Sequence, residues 1–225
     1  MENSFIQASK QLHTDNKKYG AAFEYEDPNS MKYRLTIPRA IKAAQEFSLI
    51  QSILDHGTGK GGLIKMLNEH KDLNIIAKGY DPAVPEFSSL PTSKYHIVSS
   101  IDVLEHIGRD HINSTLGEIS NLTEKFFFFC IDLVPASKKL ADGRNAHTLI
   151  APSDWWIQQI KNKFRILSCI EVGIMPDGSN YPKHLFGCAS NSRENLKSMN
   201  TFLENIECAS KQWVLVKNGV RLIPW

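Results

Sequence analysis

The feature that most constrains the fold is a run of apolar residues, KFFFFCIDLV at 125–134. A strand with one face in water alternates apolar and polar residues, whereas a strand covered on both faces is apolar throughout. The run therefore predicts a central strand with helices packed on both sides. Sheets covered in this way are built from alternating strands and helices.

Helical patterns and strand-like runs alternate around this central segment. The helical patterns lie at 31–48, 62–70, 110–122 and 153–164. The strand-like runs lie at 49–55, 73–81, 95–102, 164–174 and 183–190. This order predicts an α/β fold with a parallel sheet, in which ligands bind beyond the carboxyl ends of the strands.

Length and charge narrow the class of protein. A chain of 225 residues fits one large α/β domain. The formal net charge of +2 gives no support to a nucleic-acid-binding surface. The polar first residues lack the apolar centre of a signal peptide, and no apolar stretch reaches the roughly 20 residues that span a bilayer. The charge does not exclude binding to RNA or DNA, but it offers such binding no support. We expect a protein that does not insert into a membrane and that is a monomer or a homodimer.

The cysteines indicate a reducing compartment. The chain has four, far apart and with no CxxC pair: Cys130, Cys169, Cys188 and Cys208. Three of them lie in apolar, strand-like runs, which favours buried free thiols over zinc ligands or disulfides. We therefore expect a cytoplasmic protein.

A glycine-rich loop follows the first strand-like run. Asp55 and His56 precede Gly57-Thr58-Gly59-Lys60-Gly61-Gly62, and Asp81 ends the next strand-like run. Glycines allow a tight turn from strand to helix and a close approach of a ligand to the backbone. A carboxylate at the tip of the second strand can accept hydrogen bonds from both ribose hydroxyls of a nucleoside.

The same loop matches the GxGxxG pattern of dinucleotide-binding proteins at Gly57, Gly59 and Gly62, which leaves an NAD-dependent oxidoreductase as an alternative. Asp55 favours a different ligand. Its carboxylate would repel a pyrophosphate but can approach an ammonium group, directly or through water.

Three segments in this order resemble the class I S-adenosylmethionine-dependent methyltransferases: LDHGTGKGG at 54–62, GYDP at 79–82 and SSIDVLEHI at 99–107. LHTDNKKYG at 12–20 and DGRNAHTLIAPSDWW at 142–156 resemble a group of small phage and bacterial methyltransferases. The resemblance implies methyltransferase activity with S-adenosylmethionine as cofactor. It also implies a Rossmann-like, mostly parallel seven-stranded sheet with an antiparallel last strand, helices on both faces and a short third strand around Phe87 to Leu90.

The resemblance further implies roles for individual residues. Asp81 would hold the ribose hydroxyls, with Pro82 and Ala83 near the adenine. The other cofactor-binding residues fall into two sets. The methionine end would be lined by Asp55, Gly57, Thr58, Gly59 and Gly61, and the sulfonium by Ser100, Ile101 and Asp102.

SSIDVLEHI also holds candidate catalytic residues, Asp102, Glu105 and His106. Positions three and four apart share one face of a helical turn, so these side chains are expected to point together. They suit a proton-accepting base, although acidic residues also favour a helix start for structural reasons. Some relatives place a divalent ion on an ExxEH motif. We expect no metal here, the alternative being a Mg²⁺, Mn²⁺ or Zn²⁺ site of Asp102, Glu105, His106 and His147.

A polar loop after the central strand contains Arg144, Asn145 and His147. Binding and catalytic groups concentrate on loops at this edge of a sheet, the alternative being a solvated surface turn. We interpret His147 as the general base, together with Asp102 and His106 as catalytic groups, and Arg144 and Asn145 as residues that position the acceptor.

The sequence thus predicts three parts: an N-terminal arm or lid at 1–30, a methyltransferase domain at 31–191, and an extension at 192–225 that packs on the same domain. This extension consists of a helix and a hairpin around Asn218-Gly219. The predicted reaction is methyl transfer to a hydroxyl of a small molecule or glycan. An RNA-end methyltransferase and a non-catalytic cofactor-binding subunit remain alternatives beside the oxidoreductase.

Overall fold

A computed structural model describes residues 4–15, 31–172 and 183–191. The strands are β1 (Ser52–His56), β2 (Ile76–Tyr80), β3 (Tyr95–Ile101), β4 (Thr123–Asp132), β5 (Arg165–Val172) and β6 (His184–Ser190). The α-helices are α1 (Ser4–Asp15), α2 (Met31–Phe47), α3 (Gly62–Glu69), α4 (Ile112–Leu122) and α5 (Ser153–Lys161). Short 3₁₀ turns lie at Pro85–Phe87, Leu104–His106 and Arg109–His111.

The strands form one six-stranded sheet in the order β2-β1-β3-β4-β6-β5. Strand β1 pairs in parallel with β2 and β3, and β3 pairs in parallel with β4, whereas β6 runs antiparallel to β4 and β5. The chain moves outward from β1 to β2 and then returns to the other side of β1. The strand order therefore reverses between β1 and β3, which is where ligands bind in open α/β sheets. The α/β class, the parallel centre and the antiparallel last strand are confirmed.

The phenylalanine run occupies the centre of the sheet, in β4. Phe126 and Phe128 belong to the apolar core on the face covered by α2 and α3. Phe127 and Phe129 belong to the core on the opposite face, with α4 and α5. Alternating side chains of one strand thus fill two separate cores, which explains why the run has no polar face.

The expected short strand around Phe87 to Leu90 is not a strand, and the sheet has six strands over the described residues instead of seven. The segment forms the 3₁₀ turn Pro85–Phe87, and the backbone N–H of Asp81 donates to the carbonyl of Phe87 at 2.9 Å. Prolines lack the N–H that a strand ladder needs, and this segment has Pro82, Pro85 and Pro91. It folds back on the tip of β2 instead of extending the sheet.

The parts flanking the sheet are described only in part. Helix α1 packs through Ala8 against Leu140 and Ala146. Tyr19, Cys208 and the hairpin expected around Asn218-Gly219 lie outside the described residues. The division into an arm, a domain and an extension therefore stays a prediction. Among the helices described, none combines the length and apolar character needed to cross a membrane.

Candidate functional site

The loop between β1 and α3 depends on glycine at specific positions. Gly57, Gly59 and Gly61 have φ angles of 87°, 54° and 76°, in the left-handed region that favours glycine. A Cβ atom on Gly57 would also lie 2.4 Å from a methyl carbon of Val103. The loop therefore needs glycine at position 57 for two reasons, backbone conformation and space.

Asp81 ties this loop to the tip of β2. One of its carboxylate oxygens accepts the backbone N–H of Gly59 at 2.9 Å, and the other accepts that of Ala83 at 2.8 Å. Ala83 is buried and Pro82 is half-buried. Each carboxylate oxygen has a second lone pair, so Asp81 can still accept hydrogen bonds from a ligand.

Asp55 lies at the tip of β1, next to Asp81, and is only 4% exposed. The hydroxyl of Ser99 donates to its carboxylate at 2.9 Å. Removal of water by burial raises the pKa of Asp55 to about 6, so the group is mostly ionised at neutral pH. Sequence reasoning missed Ser99, although Asp55 and Ser99 are register partners in β1 and β3.

Two aromatic side chains border the loop. His56 is buried, and its Nε2 lies 2.7 Å from Glu118 Oε1 on α4. The ring of Phe87 also lies against the loop, because a Cβ atom on Gly61 would be 2.8 Å from it. We call the group formed by Gly57–Gly61, Asp55 and Asp81 the glycine-loop crevice. The sequence analysis did not predict that Phe87 contacts the loop. The position of Phe87 depends on the 3₁₀ turn Pro85–Phe87, which forms where a strand was expected.

The end of β3 contributes Ser100, Ile101 and Asp102. Ser100 and Ile101 are buried, and the hydroxyl of Ser100 has no hydrogen-bond partner. Asp102 has a φ of 55°, and its backbone N–H donates to the carbonyl of Cys130 at 2.9 Å. A non-glycine residue in this left-handed conformation carries backbone strain, and such residues cluster at functional sites.

Beyond Asp102 lies a second group of ionisable side chains, which we call the strand-end cluster: Asp102, Glu105, His106, Asp132 and His147. Ligand atoms of Asp102, Glu105 and Asp132 all lie within 4.8 Å of one another. Glu105 is completely buried, and burial together with the charges of the two aspartates raises its pKa well above the usual range. Sequence reasoning missed Asp132, although it ends the central strand at the edge where ligands were expected.

The two imidazoles of the strand-end cluster are held by backbone carbonyls. His106 Nδ1 donates to the carbonyl of Ala146 at 2.8 Å, and His147 Nδ1 donates to that of Val134 at 2.6 Å. The ring centroids are 4.8 Å apart, and His147 Nε2 lies 3.8 Å from a carboxylate oxygen of Asp132. Burial lowers the pKa of His106 to about 4, with a further contribution from His147, so His106 is neutral at pH 7.

The polar loop after β4 divides into an exposed tip and a buried base. At the tip, Arg144 is half-exposed and pairs with Asp142. At the base, Asn145 accepts the backbone N–H groups of Ala136 and His147 and donates to the carbonyl of Ala136. Asn145 therefore fixes the loop that carries His147, which is 9% exposed.

The structure brings most of the predicted site residues to one edge of the sheet. The turn at 104–106 places the side chains of the SSIDVLEHI segment in two overlapping groups. Glu105, His106 and His147 form one close group, whereas Asp102 and Glu105 group with Asp132. Arg144 is the exception, since it lies on the exposed tip and is paired with a neighbour. Asp132 also contacts His184 of β6, which only the antiparallel register brings there.

Comparison with known proteins identifies the fold. No family model matches the sequence, and no curated protein matches it. Among solved structures, a magnesium protoporphyrin IX methyltransferase from Synechocystis with bound SAH has a TM-score of 0.58 at 13% identity, over 84% of this chain and 100% of that chain. The DhpI–SAH complex has a TM-score of 0.54 at 12% identity, over 84% and 98% of the two chains.

A third similar structure is the 1,6-didemethyltoxoflavin-N1-methyltransferase of Burkholderia thailandensis with bound 1,6-didemethyltoxoflavin and S-adenosylhomocysteine. Its TM-score is 0.51 at 13% identity, over 82% of this chain and 87% of that chain. At these identities the likeness concerns the arrangement of strands and helices. This chain has the Rossmann-like fold of the class I S-adenosylmethionine-dependent methyltransferases.

Proposed function

We propose that this protein is an S-adenosylmethionine-dependent methyltransferase that acts on a hydroxyl group of a small molecule or glycan. The observation that carries the proposal is the pair of carboxylates, Asp55 and Asp81, at the tips of neighbouring strands beside the glycine loop. Negative charge at this point attracts an ammonium group and accepts hydroxyls, whereas it repels the diphosphate of a dinucleotide. The fold supports the same reading.

The chain's own residues suit the different parts of this cofactor. Asp55 would pair with the ammonium end, and the free lone pairs of Asp81 would accept the ribose hydroxyls. The unpartnered hydroxyl of Ser100 is a further polar group at the sheet edge. The proposed cofactor-binding set is Asp55, Gly57, Thr58, Gly59, Gly61, Asp81, Pro82, Ala83, Ser100, Ile101 and Asp102.

The bound cofactor supplies an electrophilic methyl group on a sulfonium. The chain contributes orientation, which can supply roughly 7–11 kcal/mol of the barrier, and a base that takes the proton of a hydroxyl acceptor. His147 is our candidate for this base, because its Nδ1 proton is committed to the carbonyl of Val134 and its Nε2 keeps a lone pair. Asp102 and His106 complete the proposed catalytic group.

Arg144 and Asn145 are proposed to act on the acceptor in different ways. Asn145 holds the loop that carries His147, and Arg144 presents its guanidinium at the exposed tip. The Synechocystis and Burkholderia proteins are named for a porphyrin and a toxoflavin precursor, which favours a small-molecule acceptor here as well.

Calorimetric titration tests the cofactor directly. We expect the full chain to bind S-adenosylhomocysteine at a single site and to show no binding of NAD under the same conditions. NAD binding without binding of the adenosyl ligand would replace the proposal with a dinucleotide enzyme.

Transfer of a labelled methyl group from the cofactor into a metabolite and glycan extract tests the reaction and identifies the acceptor. Once the acceptor is known, we expect His147→Ala to lower turnover about 100-fold or more, in the usual range for loss of a general base, and to keep affinity for S-adenosylhomocysteine. His96→Ala is a matched control, because His96 bonds Ser52 at the opposite end of β1. Full turnover by His147→Ala would remove His147 from the mechanism, and binding without any labelled product would indicate a non-catalytic subunit.

A further inference from the structure

The side chain of Glu105 is the least expected feature of the strand-end cluster. Glu105 is 0% exposed, and one carboxylate oxygen, Oε1, accepts the backbone N–H of Asp132 at 3.1 Å. The other oxygen, Oε2, is buried and has no hydrogen-bond partner. Buried carboxylate oxygens are costly unless a hydrogen bond, a proton or a cation satisfies them.

The side chain that carries this unsatisfied oxygen belongs to a group of three acidic side chains. Asp102, Glu105 and Asp132 each bring a carboxylate oxygen within 4.8 Å of the other two, and Asp102 and Asp132 are both half-buried. They come from the end of β3, the following 3₁₀ turn and the end of β4. Three separate backbone segments therefore converge on one point with side chains of the same charge.

We propose that Asp102, Glu105 and Asp132 form a binding site for a divalent cation, Mg²⁺ or Mn²⁺. Carboxylate oxygens are the ligands that these hard cations prefer. Three carboxylates leave coordination positions for water or a ligand oxygen, since Mg²⁺ and Mn²⁺ favour six ligands in octahedral geometry. The set differs from the one that the sequence suggested, because Asp132 takes part and the two imidazoles do not.

The two imidazoles belong to a different group of side chains. His106 and His147 lie close to Glu105, whereas Asp102 and Asp132 form a separate group with Glu105. The three carboxylates repel one another, and a doubly charged ion reduces this repulsion more than neutral ligands do. The site follows from the cluster alone, and only a role of the ion in holding an acceptor oxygen rests on the proposed function.

Titration of the metal-free full chain with MnCl₂, followed by electron paramagnetic resonance of free Mn²⁺ and without any cofactor, tests the site. We expect one saturable Mn²⁺ site and competition by excess Mg²⁺. Glu105→Gln keeps the size and shape of the side chain and one acceptor oxygen but removes its charge, and should weaken Mn²⁺ binding at least about tenfold. Glu69→Gln makes the same chemical change on an exposed part of α3 and should bind Mn²⁺ like the wild type.

Two results would overturn the site: no saturable Mn²⁺ binding by the wild type, or wild-type binding by Glu105→Gln. Circular dichroism checks the fold of each variant, and Asp132→Asn decides in the same way if Glu105→Gln fails to fold. Separate titration with S-adenosylhomocysteine distinguishes the proposals. Mn²⁺ binding without binding of the adenosyl ligand leaves the metal site standing and removes the methyltransferase, and the reverse result does the opposite.

Discussion

The glycine-loop crevice and the strand-end cluster lie at the same edge of the sheet, but their carboxylates differ in hydrogen bonding. In the crevice, both oxygens of Asp81 accept backbone N–H groups, and Asp55 accepts the hydroxyl of Ser99. In the cluster, Asp102, Glu105 and Asp132 face one another, and one oxygen of Glu105 accepts nothing. Both carboxylates of the crevice therefore have hydrogen-bond partners, although burial still raises the pKa of Asp55, whereas Glu105 of the cluster keeps one buried oxygen without a hydrogen bond.

The largest expected effect tests whether the crevice is rigid. Gly57→Ala places a Cβ atom against Val103 in a left-handed backbone, and we expect a loss of about 4 kcal/mol in unfolding free energy from strain and overpacking together. Urea denaturation measures it. Gly143→Ala is a matched control, because Gly143 has a φ of 86° but nothing within 4 Å of its added Cβ, and it should cost only about 1 kcal/mol. Equal losses would mean that space around Gly57 is not limiting.

A second prediction concerns the charge that holds the crevice together. Asp81→Asn turns one acceptor into a donor, so an NH₂ group must face the backbone N–H of either Gly59 or Ala83. The substitution also removes the charged acceptor proposed for the ribose hydroxyls. Because hydrogen bonds to charged groups contribute about 1.5–3 kcal/mol each, we expect affinity for S-adenosylhomocysteine to fall about 100-fold. Calorimetry measures it, with the exposed Asp72→Asn as control. Unchanged affinity would mean that Asp81 does not contact the ligand.

A third prediction uses the pKa of Asp55. Since the folded protein raises this pKa from 3.8 to about 6, the native state binds the proton more tightly than the unfolded chain. The group therefore stabilises the fold below about pH 4, and this contribution is lost as the pH rises through 6. Asp55→Asn, which has no ionisable group, should be more stable than the wild type by about 3 kcal/mol at pH 8, with the gain shrinking toward pH 4.

Denaturation of Asp55→Asn and the wild type at pH 5 and pH 8 measures this difference. The variant should also bind S-adenosylhomocysteine more weakly, because it has no charge to pair with the ammonium group. A variant that is less stable than the wild type at both pH values would show that the ionised carboxylate supports the crevice, contrary to our view.

The smallest expected effect separates the exposed loop tip from the strand-end cluster. Arg144→Ala removes a surface ion pair with Asp142, and exposed pairs contribute little to stability. We expect no measurable change in melting temperature or in affinity for S-adenosylhomocysteine, but a raised KM for the acceptor once it is known. An unchanged KM would restrict acceptor binding to the buried base of the loop.

Much of the fold could be predicted because it depends on patterns of apolar residues and glycines within short segments. The two-sided apolar run at 125–134 predicted a central strand, and Phe126 to Phe129 do fill two opposite cores. The Asp55-to-Gly62 segment predicted a strand, a tight turn and a helix, and the left-handed glycines occur within it. The exception was the short third strand, where prolines produced a turn that the family pattern alone did not reveal.

Residues of the candidate site could be predicted only where they lie close together in the chain or at the ends of adjacent strands. Asp55 and the glycines are neighbours in the chain, and Asp81 follows from the end of the adjacent strand. The partners of Glu105 and His147 depend on the depth of burial and on the packing of distant segments. Asp132 was missed for this reason, and His184 reaches it only through the antiparallel register of β4 and β6.

By itself, the sequence determined the α/β class, the sheet edge at which the polar motifs lie and the glycine loop, because hydrophobic period and glycine conformation act over a few residues. Only the tertiary structure decided which acidic groups share one buried space. Repulsion between carboxylates depends on distances across the sheet, and strand register and the left-handed turn at Asp102 set those distances.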